Sequence, residues 1–164
     1  VSGRGGGGRA QLSLLDRLID DAPETLSEAP LSAAETLAAL RRSVRRDLEA
    51  LLNARRRWRS WPAELAELET SPIGFGLPDY ASGAFNDVGR RQRLCRDIEQ
   101  TIRRFEPRFA SVSVSLLDTD NVLESTLHLR IEALLHAEPA PEPISFDTML
   151  DATTADVTVH ARDV

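Results

Sequence analysis

The run Thr101-Ile102-Arg103-Arg104-Phe105-Glu106-Pro107-Arg108-Phe109-Ala110-Ser111-Val112-Ser113-Val114-Ser115-Leu116 changes period in its middle, and that change decides the fold class. Before it, Cys95, Ile98, Ile102 and Phe105 recur every three or four residues, the spacing of one helical face. Pro107 lacks the N–H that a continuing helix needs and ends the pattern. After it, Val112, Val114 and Leu116 alternate with Ser111, Ser113 and Ser115. Such alternation puts apolar and polar groups on opposite faces of a half-buried strand.

Towards the C-terminus the strand period persists. Residues 118–121 are turn material. Leu127, Leu129 and Ile131 alternate with His128, Arg130 and Glu132 as a second strand. A proline-rich link over 137–143 leads to a third strand with Ile144, Phe146 and Leu150. A turn over 151–156 leads to a fourth with Val157 and Val159. Towards the N-terminus the helical period persists. A helix spans about 87 to 105. Residues 69–86 hold Pro72, Gly74, Gly76, Pro78 and Gly83 and read as one long loop. Ser32-Ala33-Ala34-Glu35 is a capping box. Leu37, Leu40, Val44, Leu48 and Leu51 follow it at helical spacing, to about Asn53. Arg41, Arg42, Arg45 and Arg46 lie off that stripe. Trp58 and Trp61 flank its basic end, and Pro62 interrupts the pattern.

Residues 20–30 carry two prolines and several acids, as an exposed connector does. In Ser13-Leu14-Leu15-Asp16-Arg17-Leu18, Ser13 caps a short helix, Asp16 reaches back to it, and the three leucines give one apolar side. Residues 1–12 form a glycine-rich flexible tail, and 13–164 form a single domain. Helices precede strands instead of alternating with them. The expected class is α+β, with N-terminal helices packed on an antiparallel sheet of about four strands.

The net charge is −6 and all 20 basic side chains are arginine. An acidic chain has no bulk attraction for nucleic acid. Residues 35–59 run against that balance, with eight arginines against Glu35, Asp47 and Glu49. Such a stretch is either a solvated helix face or an interface for acidic protein surface. Gly74-Phe75-Gly76 follows no strand and opens no helix, so it is no dinucleotide fingerprint. No apolar run nears the ~20 residues that cross a bilayer.

Cys95 is the only cysteine, which excludes an intramolecular disulfide. Its place on the helical stripe makes it core. His128 and His136 would stand ~26 Å apart on a straight strand, too far for one metal, and no cofactor is expected. Glu106 is the best-placed candidate acid. The adjacent Arg108 favours its charged form, the opposite of what a general acid needs.

Four landmarks resemble the TssE family of type VI secretion systems. They are the Ser13–Leu18 run, the helix Ser43-Val44-Arg45-Arg46-Asp47-Leu48-Glu49-Ala50-Leu51-Leu52-Asn53-Ala54-Arg55, the loop Phe75-Gly76-Leu77-Pro78-Asp79-Tyr80, and Phe105-Glu106-Pro107-Arg108-Phe109. They fall in the family's order across nearly the whole domain. Phe75 stands where the family usually has Tyr, and Phe109 where it commonly has Leu. The resemblance implies a cytoplasmic, non-enzymatic baseplate component. It implies binding to the TssF–TssG wedge, starting the TssB–TssC sheath by β-strand addition, and TssK as a further neighbour. It puts Glu106, Pro107 and Arg108 at the wedge contact. Arg45 and Arg46 join them as a surface for acidic protein, and the region of Ile144, Phe146, Val157 and Val159 is expected to accept the sheath strand. The family is often labelled lysozyme-like, so peptidoglycan hydrolysis is the alternative. That activity needs two carboxylates flanking a sugar cleft.

Overall fold

The computed structural model describes residues 13–19, 24, 32–56, 60–80, 87–117, 126–137, 140–151 and 153–162. The glycine-rich tail, most of the connector, Trp58, the end of the long loop and the 118–121 turn lie outside them.

Three helices are described: α1 (Leu14–Leu18), α2 (Ala33–Asn53) and α3 (Val88–Phe105). The Ser32–Glu35 capping box forms in full: the Ser32 hydroxyl accepts the Glu35 N–H, and the Glu35 carboxylate accepts the Ser32 N–H. Asp87 caps α3 by accepting the N–H groups of Gly89 and Arg90. The end of α3 falls at Phe105, immediately before Glu106-Pro107.

Two short strands, β1 (Arg55–Arg56) and β2 (Leu77–Pro78), pair in parallel. The main sheet is an antiparallel meander of β3 (Phe109–Leu116), β4 (Thr126–Leu135), β5 (Glu142–Asp151) and β6 (Val157–Arg162), in that spatial order. The architecture is α+β, as the period change requires. β4 and β5 are interior, so β3 and β6 are the two edges. One face of the sheet carries Val112, Leu129, Ile131, Leu135, Ile144, Phe146, Leu150, Val157 and Val159. These bury against Leu40, Val44, Leu48 and Leu52 of α2 and Leu94, Ile98 and Ile102 of α3. Cys95 is in this core, where burial and nearby Glu99 push its thiol pKa up.

The structure departs from expectation in three places. The stretch read as one loop from 69 to 86 takes in the end of one 3-10 segment, Ala63–Thr70, all of a second, Pro72–Gly74, and β2. Gly76 lies at φ 97°, and a Cβ there would stand 2.4 Å from the Ala54 carbonyl oxygen. Its lack of a side chain lets the loop approach the end of α2, where the Leu77 N–H bonds the Ala54 carbonyl at 3.0 Å. The proline-rich link is shorter than expected, because Pro143 is already in β5, opposite Leu134. Finally, the leucines of α1 face outward instead of packing inward.

Candidate functional site

Glu106 is the C-cap of α3, and its N–H still bonds the Ile102 carbonyl at 2.8 Å. Arg108 follows one residue after the proline. The tight turn folds the Arg108 guanidinium back onto the Glu106 carboxylate. Arg108 Nε donates to Glu106 Oε1 at 2.6 Å and its NH2 group to Oε2 at 2.5 Å, a bidentate pair. The backbone N–H of Arg108 adds a third bond to Oε1 at 3.2 Å. The Glu106 side chain is 5% exposed and that of Arg108 20%. Pro107, between them, is exposed.

The same guanidinium reaches α2. It donates to Asp47 Oδ2 at 2.7 Å and to Ser43 Oγ at 3.0 Å. Ser43 donates onward to Asp16 Oδ2 at 2.5 Å. Arg46 donates to Asp16 Oδ1 at 2.8 Å and to Asp47 Oδ1 at 2.9 Å. Asp16, Ser43, Arg46, Asp47, Glu106 and Arg108 thus form one network joining α1, α2 and the turn between α3 and β3. Burial works against the Arg108 charge, but Glu106 and Asp47 outweigh it and raise its pKa. Burial also opposes ionised Asp16; hydrogen bonds from Ser13, Ser43 and Arg46 prevail and hold its pKa at about 2.

The other predicted residues lie on and beside the sheet. Arg45 pairs with Glu49 at 2.9 Å and donates to the Val159 carbonyl at 3.3 Å. Ile144, Phe146, Val157 and Val159 point into the core. Ile144 and Phe146 belong to interior β5, whereas Val157 and Val159 belong to edge strand β6. A partner can reach this group only through the backbone of β6.

That backbone is partly occupied, which the sequence did not reveal. The Asn53 carboxamide accepts the Val157 N–H at 2.9 Å and donates to the Val157 carbonyl at 2.8 Å, as a neighbouring peptide would. With Arg45 on the Val159 carbonyl, α2 covers the first half of this edge. The opposite edge is treated alike. Arg103 of α3 donates to the Val112 carbonyl at 3.0 Å, and Glu99 accepts the Val114 N–H at 3.2 Å. Glu99 and Arg103 are themselves paired at 2.7 Å. Strand groups alternate in direction, so Ala161 on β6 and Leu116 on β3 share the outward sense of the covered groups, and among the described residues no helix side chain bonds them. Only the spacing of Glu99 with Arg103 and of Arg45 with Glu49, four residues apart on helices, hinted at paired side chains.

Elsewhere, Arg55 donates to the carbonyls of Leu52 and Ala155, tying the end of α2 to the turn before β6. His160 faces Asp147 across the β5–β6 ladder, and His128 faces Met149 on β5. Among the described residues, no three His, Cys, Asp or Glu side chains converge as a metal site. No described helix is long and apolar enough to cross a membrane.

The fold and site define a small α+β protein in which one charged cluster joins three elements and helices border both sheet edges. The chain belongs to the family of baseplate wedge protein gp25, whose profile matches residues 38–140, more than half of its length. It is thus a structural baseplate component of a contractile tail. The match begins inside α2 at residue 38, takes in α3, the Glu106–Arg108 turn, β3 and β4, and stops before β5. TssE is the type VI counterpart of that wedge protein, in line with the resemblance in the sequence. No curated protein and no solved structure matches the chain.

Proposed function

We propose that this chain is the TssE-type subunit of a cytoplasmic type VI baseplate, linking the TssF–TssG wedge, beside TssK, to the TssB–TssC sheath. It works by shape, arginine–carboxylate pairing and strand addition, with no chemical turnover. The observation that carries the reading is the family match across α2 and the Glu106–Arg108 turn.

The wedge contact is assigned to Glu106, Pro107 and Arg108, with Arg46 beside them and Arg45, the residue before it, turned to the β6 edge. The internal pairing of Glu106 with Arg108 supports a positioning part for these two. They fix the turn rigidly and leave Pro107 at its tip. The sheath contact is assigned to the edge backbone of β6 beyond Val159, where no helix side chain among the described residues bonds the outward N–H and C=O groups.

Co-purification with TssF–TssG tests the reading. The wild-type chain is expected to be recovered with the wedge. Pro107→Glu, which puts a charge on the exposed tip without touching the network, is expected to lower recovery several-fold at unchanged melting temperature. No recovery of the wild-type chain, or rapid clearing of a peptidoglycan suspension by it, would overturn the proposal.

A further inference from the structure

α1 is amphipathic in the reverse of the usual sense. Its one described acid, Asp16, turns inward to Ser43 and Arg46, and that side chain is only 11% exposed. Leu14 is 75% exposed, Leu15 61%, Leu18 80% and Ile19, just past the helix end, 49%. A helix of five residues is far below the ~12–15 at which isolated helices hold in water. Here a capping serine and one buried carboxylate hold it, while its apolar side chains add nothing to the core. A polar tether that keeps apolar groups in water makes physical sense when something else covers them.

The surroundings say what that is. Arg46, 47% exposed, lies beside α1, and exposed Arg42 stands one turn earlier on the same face of α2. The apolar knob therefore has a cationic rim. Through Ser43 and Arg108 it is continuous with the Glu106–Arg108 turn. We propose that α1 is a docking knob whose leucines enter an apolar helical groove edged with acidic residues on the TssF–TssG wedge, and that α1 and the turn form one composite contact. This rests on the wedge-binding role given above, and adds the surface and its chemistry.

The test is recovery of the full chain with purified TssF–TssG. It compares wild type, the double variant Leu14→Gln/Leu18→Gln, the rim variant Arg42→Glu, and Leu134→Gln on the far face of the sheet as control. The expected result is at least a tenfold loss for the double variant and a several-fold loss for Arg42→Glu. Leu134→Gln should bind as wild type, and all four should melt alike, since none of these side chains holds the core together. Wild-type binding with undiminished binding by the double variant would overturn the knob and leave the wedge-binding reading standing. Absence of wild-type binding would overturn that reading and the knob with it. A wild-type dimer that the double variant abolishes would assign the leucines to a second copy instead, also overturning the proposal.

Discussion

Glu106 is a nearly buried carboxylate whose charge is answered by a single guanidinium. Removing that guanidinium leaves Glu106, and in part Asp47, without a counter-charge in a poorly solvated place. Breaking a buried pair in this way typically costs about 3–5 kcal/mol. Arg108→Ala is therefore expected to lower unfolding stability by about 3 kcal/mol in urea denaturation. Arg130→Ala, which breaks the more exposed Arg130–Asp147 pair, should cost less than about 1 kcal/mol. Equal losses for the two variants would refute this account of the network. The Glu106–Arg108 pairing was legible in the sequence because the partners are two residues apart across a proline. Their contacts with Asp47 and Ser43 were not, since 61 and 65 residues separate Arg108 from those partners. No local pattern encodes a meeting of that kind.

At the scale of elements, α1 hangs on Asp16. Its pKa is about 2 in the folded chain, against about 3.9 for a free aspartate. A depressed carboxylate pKa contributes stability in full above the unfolded value, and loses it as pH falls through the folded value. Attachment of α1 is thus expected to weaken from about pH 4 downward and to be lost near pH 2, as amide exchange over 14–18 would record. Ser43→Ala, which removes one hydrogen bond to Asp16, should move that loss to higher pH. An unmoved midpoint would count against the tether. The same scale shows what periodicity can teach. α2, α3 and the four strands of the main sheet fell where apolar residues recur with period near 3.6 or 2, and the cap of α2 was visible as Ser32, whereas Asp87 was read only as the start of its helix. In α1 the pattern showed that an apolar side exists, but not that it faces away from the core. That direction depends on Ser43 and Arg46, far off in the chain. The two-residue parallel pair was hidden because it arises from a close approach at Gly76, not from any repeat.

For the molecule as a whole, the proposed strand addition requires one border of the sheet to accept a strand. The sequence showed four strands but not their order, because order is set by how hairpins stack and not by composition. With β3 and β6 outermost, Leu116 and Ala161 are outward positions that take no helix side chain among the described residues. Proline is tolerated on an edge where its missing N–H would have faced solvent. Ala161→Pro is therefore expected to abolish seeding of TssB–TssC sheath in a light-scattering assay while barely shifting the melting temperature, and Leu116→Pro to leave seeding intact. The reverse pattern would move the acceptor to β3. Undiminished seeding by both variants would exclude strand addition at either site.

Asn53 gives this border a particular character. A carboxamide carries the same donor and acceptor as a peptide group. If an arriving chain takes the place of Asn53 on Val157, each bond given up is replaced by one of like kind, and the released amide finds water. Such an exchange would be close to neutral in enthalpy, which would make the side chain a detachable seam. Under the proposed strand addition it would keep stray segments out by occupying the position first, and would yield to a chain that brings further contacts beyond Val159.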